Sequence, residues 1–372
     1  MTEAGALARE IGRHIEAPTP GGFERLALRV FAHQYAKNEP YRRFCDGRGA
    51  TPQTVRAWRD IPAAPAAAFK QFVLTCATEE NCRDLFGGRV FHSSGTTGAE
   101  TSQHFMDHFA VALYQESLRA SYRHFVCPDG ARPPLAALMP PPAEAPHSSL
   151  SFMLGELVAD DWGTFYHGGG WQERALRDIA ALTQPVVVFG TAFAWVHLFD
   201  YMAESDLRLS LHPGSRAVET GGFKGRSREV SRDELYALFG ERLGIAPTHC
   251  VAEYGMSEMA SQFYDTTLRD HVDGLRREPR KASLPHLLRT RVIDPVTGAD
   301  APPGQPGLLA HYDLANLNSV MAIQTEDYGY VHPDGDGFVL LGRAPGAVLR
   351  GCSLTAEEAA ASARSGASGQ GD

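Results

Sequence analysis

No stretch of this chain comes near the roughly 18 uninterrupted apolar residues that cross a bilayer, so no membrane span is expected. The first residues, Met1-Thr2-Glu3-Ala4-Gly5, have neither the basic segment nor the apolar core of a secretory signal. CxxC spacing is missing too. Cys45, Cys76, Cys82, Cys127, Cys250 and Cys352 are scattered, which suits reduced thiols better than a disulfide framework. These absences point to the cytoplasm. Basic charge is also short: 35 Lys+Arg stand against 44 Asp+Glu, a net charge of −9. A general nucleic-acid partner needs a basic face to neutralise phosphates, so none is expected. Lysine is scarce, with only Lys37, Lys70, Lys224 and Lys281. No internal repeat is visible. What remains is an ordinary globular balance, 43% apolar and 21% charged over 372 residues, with room for about two or three domains.

Residues 5–15 and 23–37 have helical periodicity, the second after the loop Pro20-Gly21-Gly22. From 88 to 265, short apolar runs alternate with amphipathic stretches. Residues 135–139, 185–190, 216–220 and 248–254 read as strands, and 107–124, 192–204 and 231–243 as helices. That alternation predicts an α/β fold whose parallel sheet is covered by helices, with ligands at the carboxyl ends of its strands. After 285, runs at 288–294, 307–312, 321–325 and 337–341 read as strands of a small β-rich unit, with Asp334-Gly335-Asp336-Gly337 as a hairpin signal. The expected division is 1–87 helical, 88–284 an α/β core, 285–345 β-rich and 346–372 a short tail.

The most informative motif is Ser93-Ser94-Gly95-Thr96-Thr97-Gly98. Its glycines permit close backbone approach, and its hydroxyls and N–H groups can surround phosphate oxygens. A Walker loop would close on Gly-Lys-Ser/Thr, whereas Ala99-Glu100 follow here. Further on, Gly221-Gly222-Phe223-Lys224 offers a flat backbone for a base. Glu253-Tyr254-Gly255-Met256-Ser257-Glu258 leaves a strand with an aromatic for stacking, a hydroxyl for phosphate and a carboxylate for Mg²⁺. Asp327, in Thr325-Glu326-Asp327-Tyr328-Gly329, can hold ribose hydroxyls, and Arg343 adds a fork of donors.

The order of these segments resembles the adenylate-forming superfamily of acyl-CoA ligases, luciferases and peptide-synthetase adenylation domains. It resembles most the acyl-protein synthetases of the bacterial luminescence type, through Ile61-Pro62-Ala63, Ala68-Phe69-Lys70, residues 221–228, 254–264, 313–316 and 342–354. The resemblance implies the large N-terminal domain of that fold and the joining of ATP and a carboxylic acid, fatty or otherwise small and organic, into acyl-AMP. It implies that Ser93, Ser94, Gly95, Thr96, Thr97 and Gly98 hold phosphates, and that Tyr254, Gly255 and the Gly221-Gly222 backbone hold adenine. Ser257 would touch the α-phosphate, Glu258 would bind Mg²⁺, and Asp327 and Arg343 would fix the ribose. Relatives often carry a lysine after the hydroxyl loop, and Ala99-Glu100-Thr101-Ser102 supplies none. They also continue into a mobile lid domain with a further lysine. The chain stops shortly after Arg343, so that lid is expected to be absent or vestigial. Lys224 is the substitute best placed by sequence, with Arg226 and Arg350 as rivals.

The same resemblance makes Cys352, in Arg350-Gly351-Cys352-Ser353-Leu354, the thiol that accepts the acyl group and passes it to a partner: a reductase, a carrier protein or CoA. Thiolate nucleophilicity and the neighbouring arginine agree with this; the alternative is a small packed hydrophobe. The other five cysteines are read as packed. His167 is a candidate beside the reacting carboxylate. His92 either contacts substrate or pairs with backbone, and residues 189–195 either line an acyl pocket or belong to the core. His104 and His108 have a spacing that binds zinc on a helix, yet HExxH is missing and a solvated or packed helix face is the stronger reading. Two other functions stay open: direct synthesis of an acyl thioester with Cys352 structural, and a non-catalytic nucleotide-binding subunit.

Overall fold

A computed structural model describes residues 2–78, 80–82, 87–93, 101–158, 170–221 and 230–344, and the backbone of 166–167. The chain opens with helices α1 (Glu3–Glu16), α2 (Gly22–Lys37) and α3 (Glu39–Asp46), then strands β1 (Ala64–Pro65), β2 (Arg89–His92) and β3 (Gln103–Met106). Next come α4 (His108–Phe125), β4 (Leu135–Ala137), α5 (Ser149–Leu157), β5 (Tyr166–His167), β6 (Gly170–Trp171) and α6 (Glu173–Ala180). They are followed by β7 (Val187–Thr191), α7 (Ala192–Glu204), β8 (Arg216–Thr220), α8 (Arg232–Leu243), β9 (Cys250–Tyr254) and β10 (Phe263–Asp265). The last are α9 (Thr267–Val272), β11 (Lys281–Ala282), β12 (Leu288–Ile293), β13 (Gly307–Asp313), β14 (Ala322–Val331) and β15 (Phe338–Arg343). Contacts group them into two compact units. The first draws on 1–120, 256–261 and 281–372, the second on 121–255 and 262–280.

In the second unit β4, β7, β8 and β9 run parallel, with Ala136 opposite Val188, Val188 opposite Ala217 and Val218 opposite Val251. β10 pairs antiparallel with β9. The central strands are buried on both faces, as their unbroken apolar runs require. Helix starts are written locally. Thr191 caps α7 by accepting from Ala194 N–H, and Ser231 with Glu234 forms a capping box on α8. At the centre Trp195 is fully buried. Its indole N–H donates to the Val218 carbonyl at 3.1 Å, and its ring meets Phe239 edge-on at 4.7 Å. Residues 189–195, one candidate acyl lining, therefore contribute largely to core.

In the first unit β12 to β15 form an antiparallel meander, with β11 on β15 and β1 parallel to β14. The hairpin signal at 334–337 joins β14 to β15. Gly337 there has φ +90° and its Cβ would sit 2.2 Å from the Lys281 carbonyl oxygen, so both conformation and space demand glycine. β2 and β3 pair antiparallel, Phe91 opposite His104, and bracket the hydroxyl loop.

Two expectations change. The strand expected to end at Thr325 continues to Val331, so Asp327 lies within β14 rather than past its end. Tyr328, Tyr330 and Val331 favour extended backbone. Gly329 sits where a Cβ would meet the Val339 carbonyl oxygen at 2.4 Å, beside a register shift. His104 and His108 do not share a helix either. His104 belongs to β3, and α4 starts at His108 because the Asp107 carboxylate accepts from Phe109 and Ala110 N–H, both at 3.0 Å.

Replacing Trp195 by alanine is expected to cost about 3–5 kcal/mol, the range for emptying a buried large aromatic site. Urea unfolding followed by circular dichroism checks it; an unmoved midpoint would show that this core is not cooperative with the rest.

Candidate active site

Past β9 the chain enters the 256–261 turn, which carries Ser257 and Glu258 and has no ladder to hold it. Side chains of the first unit do so instead. Asp313, buried at the end of β13, accepts from Ala260 N–H at 2.9 Å, Ser261 O–H at 2.7 Å and Ala315 N–H at 3.0 Å. Ser117 O–H donates to Ser261 Oγ at 2.7 Å. Asn316 Nδ2 donates to the Glu258 carbonyl at 2.7 Å and to that of Val320 at 2.9 Å. A further tier holds the 313–321 loop itself. Gln34 of α2 donates to the Asn316 carbonyl at 2.7 Å and accepts from Met321 N–H at 2.9 Å. Burial pushes Asp313 up to about 6 against the pull of its donors.

Ser257 and Glu258 face a small cavity shared with His104, Asn316, Asn318 and Ser319. His104 Nε2 lies 2.8 Å from Ser102 Oγ, and Ser93 and Ser102 exchange two hydrogen bonds of 3.0 Å at the stem of the hydroxyl loop. Burial pulls His104 down to about 4, so it is neutral near pH 7. Across β14 and β15, Asp327 stands opposite Arg343, with Nε to Oδ1 3.4 Å, and Arg343 also donates to Glu326 at 3.2 Å.

In the second unit the expected adenine groups lie at the carboxyl ends of neighbouring parallel strands. Thr220 and Glu253 pair in register and their side chains are hydrogen-bonded, so Gly221 and Tyr254 follow side by side. Gly221 has φ +69°, and the Tyr254 ring lies 5.8 Å from that of Phe263. A Cβ on Gly255 would meet Glu253 Oε1 at 2.6 Å.

Ser94, Gly95, Thr96, Thr97, Gly98, Gly222, Lys224 and Cys352 lie outside the described residues. His167 pairs through its backbone with Gly170; its side chain is outside the description. Burial pushes Cys45, Cys76, Cys82 and Cys250 up to about 12 and raises Cys127, so these five thiols stay protonated near neutrality. Among the described residues no three His, Cys, Asp or Glu cluster as a metal site. No described helix is long and apolar enough to cross a membrane. Sequence reasoning gave no role to Asp313, Asn316, Asn318 or Gln34. The signal for the first two was the 313–316 segment of the family resemblance; Asp313, Asn316 and Asn318 alternate with apolar residues at the end of the buried strand β13.

The family model for acyl-protein synthetase, LuxE, matches residues 172–361, just over half of the chain. The chain belongs to this family. A long-chain-fatty-acid–luciferin-component ligase of Vibrio harveyi is 21% identical to this acyl-protein synthetase over 347 residues, covering 90% of this chain and 87% of that one. Among solved structures, 2-hydroxyisobutyryl-CoA ligase in complex with 2-HIB-AMP and CoA aligns with TM-score 0.61 at 15% identity, over 86% of this chain and 74% of that one. The same ligase in the postadenylation state gives 0.62 at 14% identity, over 89% and 70%. The fold is therefore the α/β fold of adenylate-forming ligases.

Asp313 predicts a pH signature in this synthetase. Its folded pKa is raised from 3.8 to about 6. The stability it contributes is thus fully present below about pH 4 and is lost as pH rises through about 6, up to about 3 kcal/mol. Asp313→Asn removes that titration. Wild-type stability minus variant stability, from urea unfolding, should shrink between pH 4 and 7; a constant difference would contradict the assignment.

Proposed function

We propose that this chain uses ATP·Mg²⁺ to activate a carboxylic acid, with long-chain fatty acids as the first candidates given the name of the Vibrio harveyi relative. A carboxylate oxygen attacks the α-phosphorus, the bond to the bridging oxygen of pyrophosphate breaks, and acyl-AMP and pyrophosphate result. The Cys352 thiolate then attacks the acyl carbon, AMP leaves with its phosphate oxygen, and the thiol proton goes to solvent. A second transfer carries the acyl group to a thiol of a partner protein, a reductase or carrier, with CoA as the competing acceptor. We place this activity in the cytoplasm, where thiols stay reduced.

The observation that supports the reading is the clamped 256–261 turn: Asp313 and Asn316 hold the segment that carries the Ser257 hydroxyl and the Glu258 carboxylate. Preorganised polar groups are what charge transfer at phosphorus requires. In this reading Glu258 binds the Mg²⁺ that arrives with ATP, as hard oxygen donors suit, and Ser257 contacts the α-phosphate. Ser93 and the rest of the hydroxyl loop hold phosphates, and Lys224 supplies positive charge. Asp327 accepts from ribose hydroxyls while Arg343, 3.4 Å away, orients it. Tyr254 and the Gly221-Gly222 backbone receive the adenine, and His167 stands beside the reacting carboxylate. The raised pKa values of the other five thiols agree with giving the acyl-acceptor role, which the family resemblance implies, to Cys352.

ATP–pyrophosphate exchange and covalent labelling by radiolabelled acids of short, medium and long chain test this. Glu258→Gln should lower exchange about 100-fold. Cys352→Ser should keep exchange within about threefold and lose the label, because the first step does not use the thiol. Label retained in Cys352→Ser removes that residue from the mechanism. No exchange with any acid overturns the reading.

A further inference from the structure

The cavity beside Ser257 and Glu258 holds two groups that the proposed chemistry leaves unused. His104 and Asn318 line it and are only 4% and 3% exposed. His104 Nδ1 and Asn318 Nδ2 have no hydrogen-bond partner among the described residues. Neither residue is loose. His104 is tied through Nε2 to Ser102, and the Asn318 carbonyl accepts from Cys76 N–H at 2.7 Å. Leaving a buried polar atom unsatisfied costs about 1–3 kcal/mol, so two of them on residues that line one space call for a polar occupant.

Size and charge narrow the choice. The cavity is about 10 Å³, room for about one water. An acyl chain or a nucleotide is far too large, and an acidic residue, Glu258, among the lining residues disfavours an anion. A water satisfies every group at once. It accepts from Asn318 Nδ2, donates one hydrogen to the His104 Nδ1 lone pair and gives the other to the Glu258 carboxylate. Ser102 Oγ then accepts from His104 Nε2–H.

We propose that His104 is a positioning residue for acid activation: together with Asn318 it holds one water against the Glu258 carboxylate. The stem of the hydroxyl loop, at Ser93 and Ser102, is thereby linked to the side chain that receives the metal of ATP. This inference rests on the role given to Glu258 above. Outer partners of a metal-binding carboxylate typically change metal affinity 10–100-fold when removed.

Two substitutions separate the ring nitrogens. His104→Gln keeps an amide where Nε2 contacts Ser102 and removes Nδ1, the nitrogen without a partner. His104→Asn keeps an amide near Nδ1 and gives up Ser102. The readout is the Mg²⁺ concentration giving half-maximal ATP–pyrophosphate exchange, beside the thermal midpoint of each variant. His104→Gln should raise that concentration about 10–100-fold, and Asn318→Ala should shift it the same way. His104→Asn should stay within about threefold of wild type, whatever its thermal midpoint does. The reverse order, or shifts that follow the thermal midpoints, overturns the proposal; Asn318→Ala decides alone if the His104 variants do not fold. Glu258→Gln is the control. If it lowers exchange while His104→Gln leaves Mg²⁺ dependence unchanged, only the water link fails. If Glu258→Gln has no effect, the role of Glu258 fails, and the inference with it.

Discussion

The buried carboxylate of Asp313 is the interaction on which the candidate site depends. A short turn carrying a hydroxyl and a carboxylate has no ladder or helix of its own, so its geometry must be imposed from outside. Asp313 does so by accepting from Ala260, Ser261 and Ala315, and Asn316 adds a bond to the Glu258 carbonyl. Burying that charge is unfavourable, and the donors around it offset the cost without removing it, which is why its pKa stays raised.

The remaining nucleotide-binding candidates are placed more cheaply, by strand register. Pairing of β14 with β15 sets Asp327 opposite Arg343, and pairing of β8 with β9 sets Gly221 beside Tyr254. Backbone ladders position these residues as a by-product of building the sheets. Side-chain networks are therefore needed only where the ladder stops, at the 256–261 turn and the 313–321 loop. Gln34 of α2 and Asn38, which caps α2 and α3, reach that loop, with Asn38 donating to the Ser319 carbonyl at 3.3 Å, so the N-terminal helices support the site without entering it.

Much of this was legible in the sequence because it follows from local rules. The run 185–190 predicted a strand of the covered parallel sheet, 192–204 and 231–243 read as helices, and the Asp334–Gly337 run marked a hairpin. The family membership was legible in motif order, since Tyr254, Ser257, Glu258, Asp327 and Arg343 keep their sequence positions however the chain folds. The spacing of His104 and His108 suits one helix face, but the helix begins only after His104, where the Asp107 carboxylate accepts from Phe109 and Ala110 N–H.

The sequence by itself determined the kinds of element, their order and the chemical types of the candidate site residues, all set by neighbours a few positions apart. Tertiary structure alone decided that Asp313 receives donors from residues about fifty positions earlier, that Gln34 reaches Asn316, and that His104 and Asn318 share one cavity. These are contacts between polar side chains distant along the chain. Neither hydrophobic periodicity nor capping chemistry encodes them, because the partner of a buried polar group is chosen by packing, after the elements have formed.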